Sequence, residues 1–204
     1  MRVLMLPLLG LAMSLAACGK DRDKPVAPSD TPATDTAPVT APTNPVVGGA
    51  TMTPTRTIAD NVAAAPALST LATVLRTAEL TATLAGPGPF TVFAPNDAAF
   101  ARLAPGVQDQ LLLPANRASL ARLLRYHIVA GYLTAQELTA RINAGGGTAT
   151  LATLAGDPLT ATMTQSVITL TDVNGNKSYV EVADARQSNG LVHVVNGVLV
   201  PNLG

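Results

Sequence analysis

The chain has 204 residues in which 13 Lys and Arg balance 13 Asp and Glu, so it carries neither a basic footprint for nucleic acid nor an acidic tail. Aromatic residues make up 3% and Trp is absent, which removes the stacking platforms used by single-stranded nucleic acids. The single cysteine, Cys18, excludes an internal disulfide and a multi-cysteine metal site.

In chain order, the first element reads as an export signal. Arg2 precedes an apolar run from Val3 to Met13, too short to span a bilayer comfortably, and Ser14-Leu15-Ala16-Ala17 ends it in small residues. Leu15-Ala16-Ala17-Cys18 resembles the lipobox of bacterial lipoproteins. That resemblance implies a signal peptide over 1–17 and lipidation of Cys18; the alternative is an ordinary signal cut nearby, with Cys18 a passenger. More than one acyl chain on Cys18 gives stable membrane anchoring. Gly19 is not an Asp-type retention signal, which favours the outer membrane of a Gram-negative envelope.

Residues 18–54 read as a Pro/Thr-rich linker. Pro25, Pro28, Pro32, Pro38, Pro42, Pro45 and Pro54 interleave with Thr, Ala, Asp and Val, and no apolar period survives. Fully extended at about 3.1 Å per residue, it would reach roughly 110 Å, enough to hold a domain clear of a membrane.

Residues 55–204 have the size of one domain. Thr57 with Asp60 opens a helix carrying Ile58 and Val62, and a second stripe follows at Leu68, Leu71, Leu75 and Ala78. Gly86-Pro87-Gly88-Pro89 breaks the chain before Phe90-Thr-Val-Phe-Ala-Pro-Asn-Asp-Ala-Ala-Phe100. There Phe90, Val92 and Ala94 alternate with Thr91 and Phe93 as in a strand, and Pro95, which has no N–H to donate, ends it. Asn96 is a good N-cap, Asp97 suits the positive end of a helix, and Phe100 faces a core. Leu111 to Leu113 mark a short helix, and Asn116 is placed to cap another with Leu120, Leu123 and Leu124 inward. Thr134-Ala-Gln-Glu137 is a capping box for a helix that Gly145-Gly146-Gly147 ends.

Past Thr148 the period becomes two. Thr148 to Leu154, Leu159 to Thr164, Val167 to Thr171 and Ser178 to Val182 read as strands, with an Asn174-Gly175 hairpin turn between the last two. Leu191 to Val195 and Val198 to Val200 form a final apolar pair. Helices crowd the first half and strands the second, which predicts an α+β fold rather than alternating βαβ units.

Three segments carry a resemblance. Phe90 to Phe100, the pair Tyr126-His127, and Ser188-Asn-Gly-Leu-Val-His-Val-Val-Asn-Gly-Val-Leu-Val-Pro201 resemble, in order and spacing, the two boxes and the central Tyr-His pair of fasciclin-like domains. The match covers about Thr55 to Pro201, with Asn196 standing where many members carry Asp. The resemblance implies a single-domain β-wedge or sandwich packed with several short helices. It also implies an extracellular adhesion or interaction module, with Tyr126 and His127 as the candidate partner contact. Phe90, Thr91, Phe93, Pro95, Asn96, Phe100, Asn189, Gly190, His193 and Pro201 are its structural motif residues. A small set of members binds carotenoids or other apolar ligands, which makes a carrier the alternative.

Catalysis has little support in the residues. The only histidines, His127 and His193, lack carboxylates at ligand spacing, so no metal or cofactor is expected. None of Ser69, Ser119, Ser166, Ser178 and Ser188 sits in Gly-x-Ser-x-Gly, which leaves an envelope hydrolase as the least favoured reading. Gly145-Gly146-Gly147 lacks the Lys-Ser/Thr of a phosphate loop. Arg117, Arg122 and Arg125 read as a solvated helix face rather than a patch for an acidic polysaccharide. The expected partner is a protein or polysaccharide at the cell surface or matrix, with the membrane reached through the N-terminus and no nucleic acid.

Overall fold

The computed structural model describes residues 44–202; the expected signal peptide over 1–17, Cys18 and the expected linker up to residue 43 lie outside the described residues. The folded part begins earlier than the composition suggests. Strands β1 (Val46–Val47) and β2 (Ala50–Thr51) form a small hairpin turning on Gly48 and Gly49, both at positive φ. Val47 and Met52 are buried in the main core. The Asn44 side chain pairs with the backbone of Arg186, accepting from its N–H at 3.0 Å and donating to its carbonyl at 2.6 Å. Residues 44–54 are thus part of the domain, which corrects the linker boundary at 54. The flanking prolines Pro45 and Pro54 masked two apolar anchors and a strand-mimicking asparagine.

Helix α1 (Ile58–Ala64) starts at Thr57, whose side chain accepts from the N–H of Asp60, as expected of an N-cap. A 3-10 turn, Pro66–Leu68, leads into α2 (Ser69–Thr77), and α3 (Thr81–Ala85) follows. The strand β3 (Phe90–Pro95) ends at its proline, and Asn96 then caps α4 (Asp97–Ala101) by accepting from Ala99 N–H at 2.8 Å. Helix α5 (Val107–Leu111) sits earlier than the Leu111–Leu113 run. Asn116 does not cap α6 (Arg117–Tyr126): a 3-10 turn, Pro114–Asn116, precedes the helix, and the Asn116 amide donates back to the Gln110 carbonyl. Helix α7 (Ala135–Ala144) has the expected Thr134 cap and stops at Gly145.

Strands β4 (Ile128–Ala130), β5 (Thr148–Ala152), β6 (Pro158–Thr164), β7 (Val167–Thr171), β8 (Lys177–Gln187) and β9 (Gly190–Val195) complete the chain. Residues 198–200 are not a strand, contrary to their apolar pattern; the backbone N–H groups of Leu199 and Val200 go to side chains instead. The sheet runs β4-β3-β9-β8-β7-β6-β5, parallel between β3 and β9 and antiparallel elsewhere. A bridge between Val129 and Thr153, with Leu154 N–H donating to Ile128 O at 2.8 Å, brings the first and last strands together. The sheet is therefore a nearly closed wedge, and the α+β single-domain expectation holds.

Strands β3 and β9 are buried on both faces and divide the interior in two. Val92, Ala94, Val192 and Val194 face a helical core with Leu68, Leu71, Leu84, Phe100 and Leu120. Phe93 and Val195 face the inside of the wedge with Tyr126, Leu138, Leu159 and Leu170. Burial on two faces explains why both strands read as almost continuous apolar runs. At Gly190 a Cβ would lie 2.0 Å from the Phe90 carbonyl oxygen, so only glycine lets β9 approach β3 there.

Candidate functional site

The end of α6 places Tyr126 and His127 side by side, and both are interior. Tyr126 is 0% exposed and His127 2%. The Tyr126 hydroxyl donates to Pro158 O at 2.8 Å and accepts from Val173 N–H at 3.2 Å. Burial pushes its pKa up to about 12; the Val173 hydrogen bond opposes the rise, while the charges of Asp172 and Asp157 add to it. His127 Nδ1 lies 2.9 Å from Leu123 O, and Nε2 accepts from Leu199 N–H at 3.0 Å. A carbonyl on one nitrogen and an N–H on the other select the neutral Nδ1–H tautomer. Burial drives the His127 pKa down to about 4, against the opposing effects of the Leu123 bond and Asp172.

Asp172 joins this pair to the rest of the fold, although nothing in its sequence context singled it out. Its buried carboxylate accepts from Asn174 N–H and Asn176 N–H on one oxygen, and from the Asn176 amide and Val200 N–H on the other, each at 2.9 Å. The Asn174 amide donates to Val200 O at 2.9 Å. The β7–β8 hairpin, the segment 198–201 and the end of α6 are thereby locked together. The expectation that Tyr126 and His127 form a partner-contact surface is corrected: both side chains are interior, and their polar atoms are consumed by the backbone groups of Pro158, Val173, Leu123 and Leu199.

His193 has the same kind of role on β9. Nδ1 accepts from Asp184 N–H at 3.3 Å and Nε2 lies 2.8 Å from Leu133 O, which selects the neutral Nε2–H tautomer. The ring stacks on Phe93 with centroids 5.5 Å apart and planes at 21°. Burial lowers its pKa, while the Leu133 bond and the Asp184 charge pull it upward. Asp184 sits at φ +59 where the β8 register shifts, and its carboxylate accepts from Ala135 N–H at 2.8 Å, holding the start of α7. That irregularity left no signal in the local sequence.

The other motif residues are also supports. Asn189 donates to Leu84 O at 2.7 Å and Gly86 O at 2.9 Å and accepts from Ile58 N–H at 3.0 Å, tying β9 to α1 and α3. Asn61 reaches across to the Gln187 side chain and to both backbone groups of Thr53. Thr91 donates to Gly131 O and accepts from Leu133 N–H. Asp97 accepts from the Ser69 hydroxyl at 2.7 Å and from Thr70 N–H at 2.9 Å; burial pushes its pKa up, but these bonds outweigh it and hold the carboxyl below its ordinary value. Phe93, Phe100 and Pro201 are buried, and Phe90 packs half-buried on the helical core. Arg117 pairs with Glu79 at 2.9 Å and Arg122 with Asp157 at 3.1 Å, and Arg125 is the cation of that helix without a carboxylate partner among the described residues.

The surface offers different material. Tyr132 and Tyr179 are 41% and 38% exposed. Tyr132 borders an open groove of about 360 Å³ with Pro87, Pro89 and Ser188. A smaller apolar groove of about 210 Å³ runs between α7 and strands β6 to β8, lined by Ala135, Met163, Val167, Ile168, Val180 and Ala183. Among the described residues no three His, Cys, Asp or Glu side chains cluster to hold a metal ion.

Comparisons with known proteins agree with this architecture. The family model "Fasciclin domain" matches residues 66–201. The protein sll1483 of Synechocystis is 37% identical over 156 residues, covering 76% of this chain and 79% of that protein. Transforming growth factor-beta-induced protein ig-h3 of Sus scrofa is 34% identical over 148 residues, 72% of this chain but 20% of its own length. The solved domain pair from the insect cell adhesion molecule Fasciclin I superposes with a TM-score of 0.64 at 18% identity, over 72% of this chain and 51% of that one.

Proposed function

Because the chain belongs to the fasciclin domain family, we propose that it is a non-catalytic binding module, exported and lipid-anchored through Cys18, that engages a protein or polysaccharide at the cell surface or matrix. The observation that carries the non-catalytic reading is the state of the two histidines. Each ring nitrogen of His127 and His193 already has a backbone partner, so neither imidazole is free to move a substrate proton. The likeness to a domain pair from a cell adhesion molecule supports adhesion as the use of the exposed surface.

Fractionation of the native host tests the anchor. The wild-type chain is expected in the membrane fraction and Cys18→Ser in the soluble fraction; an unchanged distribution overturns lipidation. Cell or matrix attachment tests the binding role: saturable attachment of the purified chain supports it, and none refutes it.

A carrier of an apolar ligand such as a carotenoid is the second reading, drawn from the groove beside α7. At about 210 Å³ that groove is smaller than ordinary ligand pockets of roughly 300–1,000 Å³, so it ranks below adhesion. Colour or co-eluting lipid in protein purified from its own host would reverse that ranking.

A further inference from the structure

Strands β5, β6 and β7 each contain a Thr-x-Thr: Thr148-Ala-Thr150, Thr160-Ala-Thr162 and Thr169-Leu-Thr171. The pairing puts all six threonines in register. Thr148 faces Thr162, which faces Thr169; Thr150 faces Thr160, which faces Thr171. The intervening Ala149, Leu151, Leu159, Ala161, Ile168 and Leu170 fill the wedge core, so the threonines share the outer face. The two ranks continue onto β8, where Thr169 pairs with Tyr179 and Thr171 with Lys177.

Thr148 and Thr150 are exposed, Thr160, Thr162 and Thr171 half-buried, and Thr169 is buried with its hydroxyl directed at Val167 O. The hydroxyls of Thr148, Thr150, Thr160 and Thr171 have no hydrogen-bond partner among the described residues. Tyr179 is held from behind, its N–H on the Asn196 side chain at 2.9 Å and its carbonyl on Asn196 N–H at 3.1 Å, while its ring stays partly bare. In a chain with three Tyr, three Phe and no Trp, an aromatic ring left outside beside free hydroxyls is not core overflow. The threonine ranks and Tyr179 carry no formal charge; Lys177 and Glu181 stand two residues to either side of Tyr179 on β8, with Glu181 accepting from the Asn96 amide at 2.8 Å.

We propose that this outer face of β5–β8 binds a linear, uncharged polysaccharide laid across the strands, with Tyr179 stacking on a sugar ring and the free threonine hydroxyls bonding sugar hydroxyls. The inference rests on the binding-module reading and names its surface and partner. The hydroxyl sites recur roughly every 4.8 Å across the strands and about 7 Å along them, a repeating polar grid on a rigid sheet. An uncharged grid matches an uncharged polymer: it offers no cation row to a polyanion, and its exposed hydroxyls lose little by exchanging water for sugar. The exposed ring supplies apolar area at small entropic cost.

The test is co-sedimentation of the full chain with insoluble cellulose, curdlan and chitin, with heparin-agarose as the acidic counterpart. Wild-type protein is expected to be retained on at least one neutral polymer and not preferentially on heparin. Tyr179→Ala and the double variant Thr150→Glu/Thr160→Glu, with wild-type circular dichroism, are expected to be retained at least tenfold less. Tyr179→Phe keeps the ring and is expected to be retained like wild type. No retention on any neutral polymer, preference for heparin, or retention unchanged in the folded variants overturns the proposal. Cell attachment of the same variants separates the two levels. Attachment that survives both changes rejects this face while leaving the binding-module reading intact; a wild-type chain that attaches to nothing rejects that reading itself.

Discussion

Tyr126 and Tyr179 are the same residue type put to opposite uses. Tyr126 lies in a conspicuous Tyr-His pair and has its hydroxyl spent on Pro158 O and Val173 N–H inside the wedge. Tyr179 lies in an unremarkable strand and leaves its ring partly bare beside a row of threonines. The contrast teaches that a motif can be prominent because the backbone around it needs polar partners, not because it touches anything outside. Loops such as 198–201 and the β7–β8 hairpin leave some backbone groups without backbone partners, and the buried side chains of Tyr126, His127 and Asp172 bond them.

The largest expected effect lies in the interior that Tyr126 shares. Phe93→Ala empties the space between the wedge core and the His193 ring and should cost about 3–5 kcal/mol, read by chemical denaturation. A stability unchanged by that substitution would contradict the division of the interior by β3. Acid comes next. In the unfolded chain His127 takes a proton near its ordinary value of 6.5, while in the folded protein it stays neutral down to about 4. Its contribution is therefore complete above pH 6.5 and is lost as the pH falls from there toward 4, by on the order of 3 kcal/mol. His193, also lowered, acts in the same direction. A stability that stayed flat across that window would contradict buried, neutral histidines.

The two tyrosines themselves give a smaller and sharper comparison. Tyr126→Phe removes two part-buried hydrogen bonds, to the Pro158 carbonyl and from the Val173 N–H, and should cost about 1–3 kcal/mol. Tyr179→Phe removes a hydroxyl from a partly exposed ring and should stay within about 0.5 kcal/mol of wild type. Equal losses in the two melting curves would erase the distinction.

The parts of the fold that were legible are those whose physics is local. The run from Phe90 through Pro95 to Asn96 states strand, stop and cap in consecutive residues, and each appears where it reads. Thr57, Thr134 and the Asn174-Gly175 turn were legible for the same reason. Strand β4 was missed because three residues after a helix carry no period, and its identity comes from pairing with β3. Strand β8 runs on past Val182 to Gln187 because shifts in its register, with Asp184 at φ +59, scramble the alternation that would have extended it. The hairpin at 46–51 hid within a proline-rich composition, although Val47 and Met52 anchor it in the core.

The site residues divide in the same way. Tyr126, His127, Asn189 and His193 stood out, and the structure uses all four to satisfy distant backbone groups. Asp172 and Asp184 complete those arrangements, yet their roles depend on contacts 28 and 49 residues away, beyond any local pattern. The threonine ranks were visible as Thr-x-Thr in three strands, but their alignment exists only once the register is known. Surface grids of this kind need the sheet before they can be read.

The account turns on whether the Tyr-His pair is interior support or an outward contact, and the titration of His127 by nuclear magnetic resonance decides it most directly. The structure predicts a neutral ring at pH 5.5, protonated at Nδ1, with Nε2 accepting from Leu199 N–H and a midpoint near 4. A midpoint close to 6.5, with both ring nitrogens exchanging freely with water, would place His127 at the surface and contradict the account.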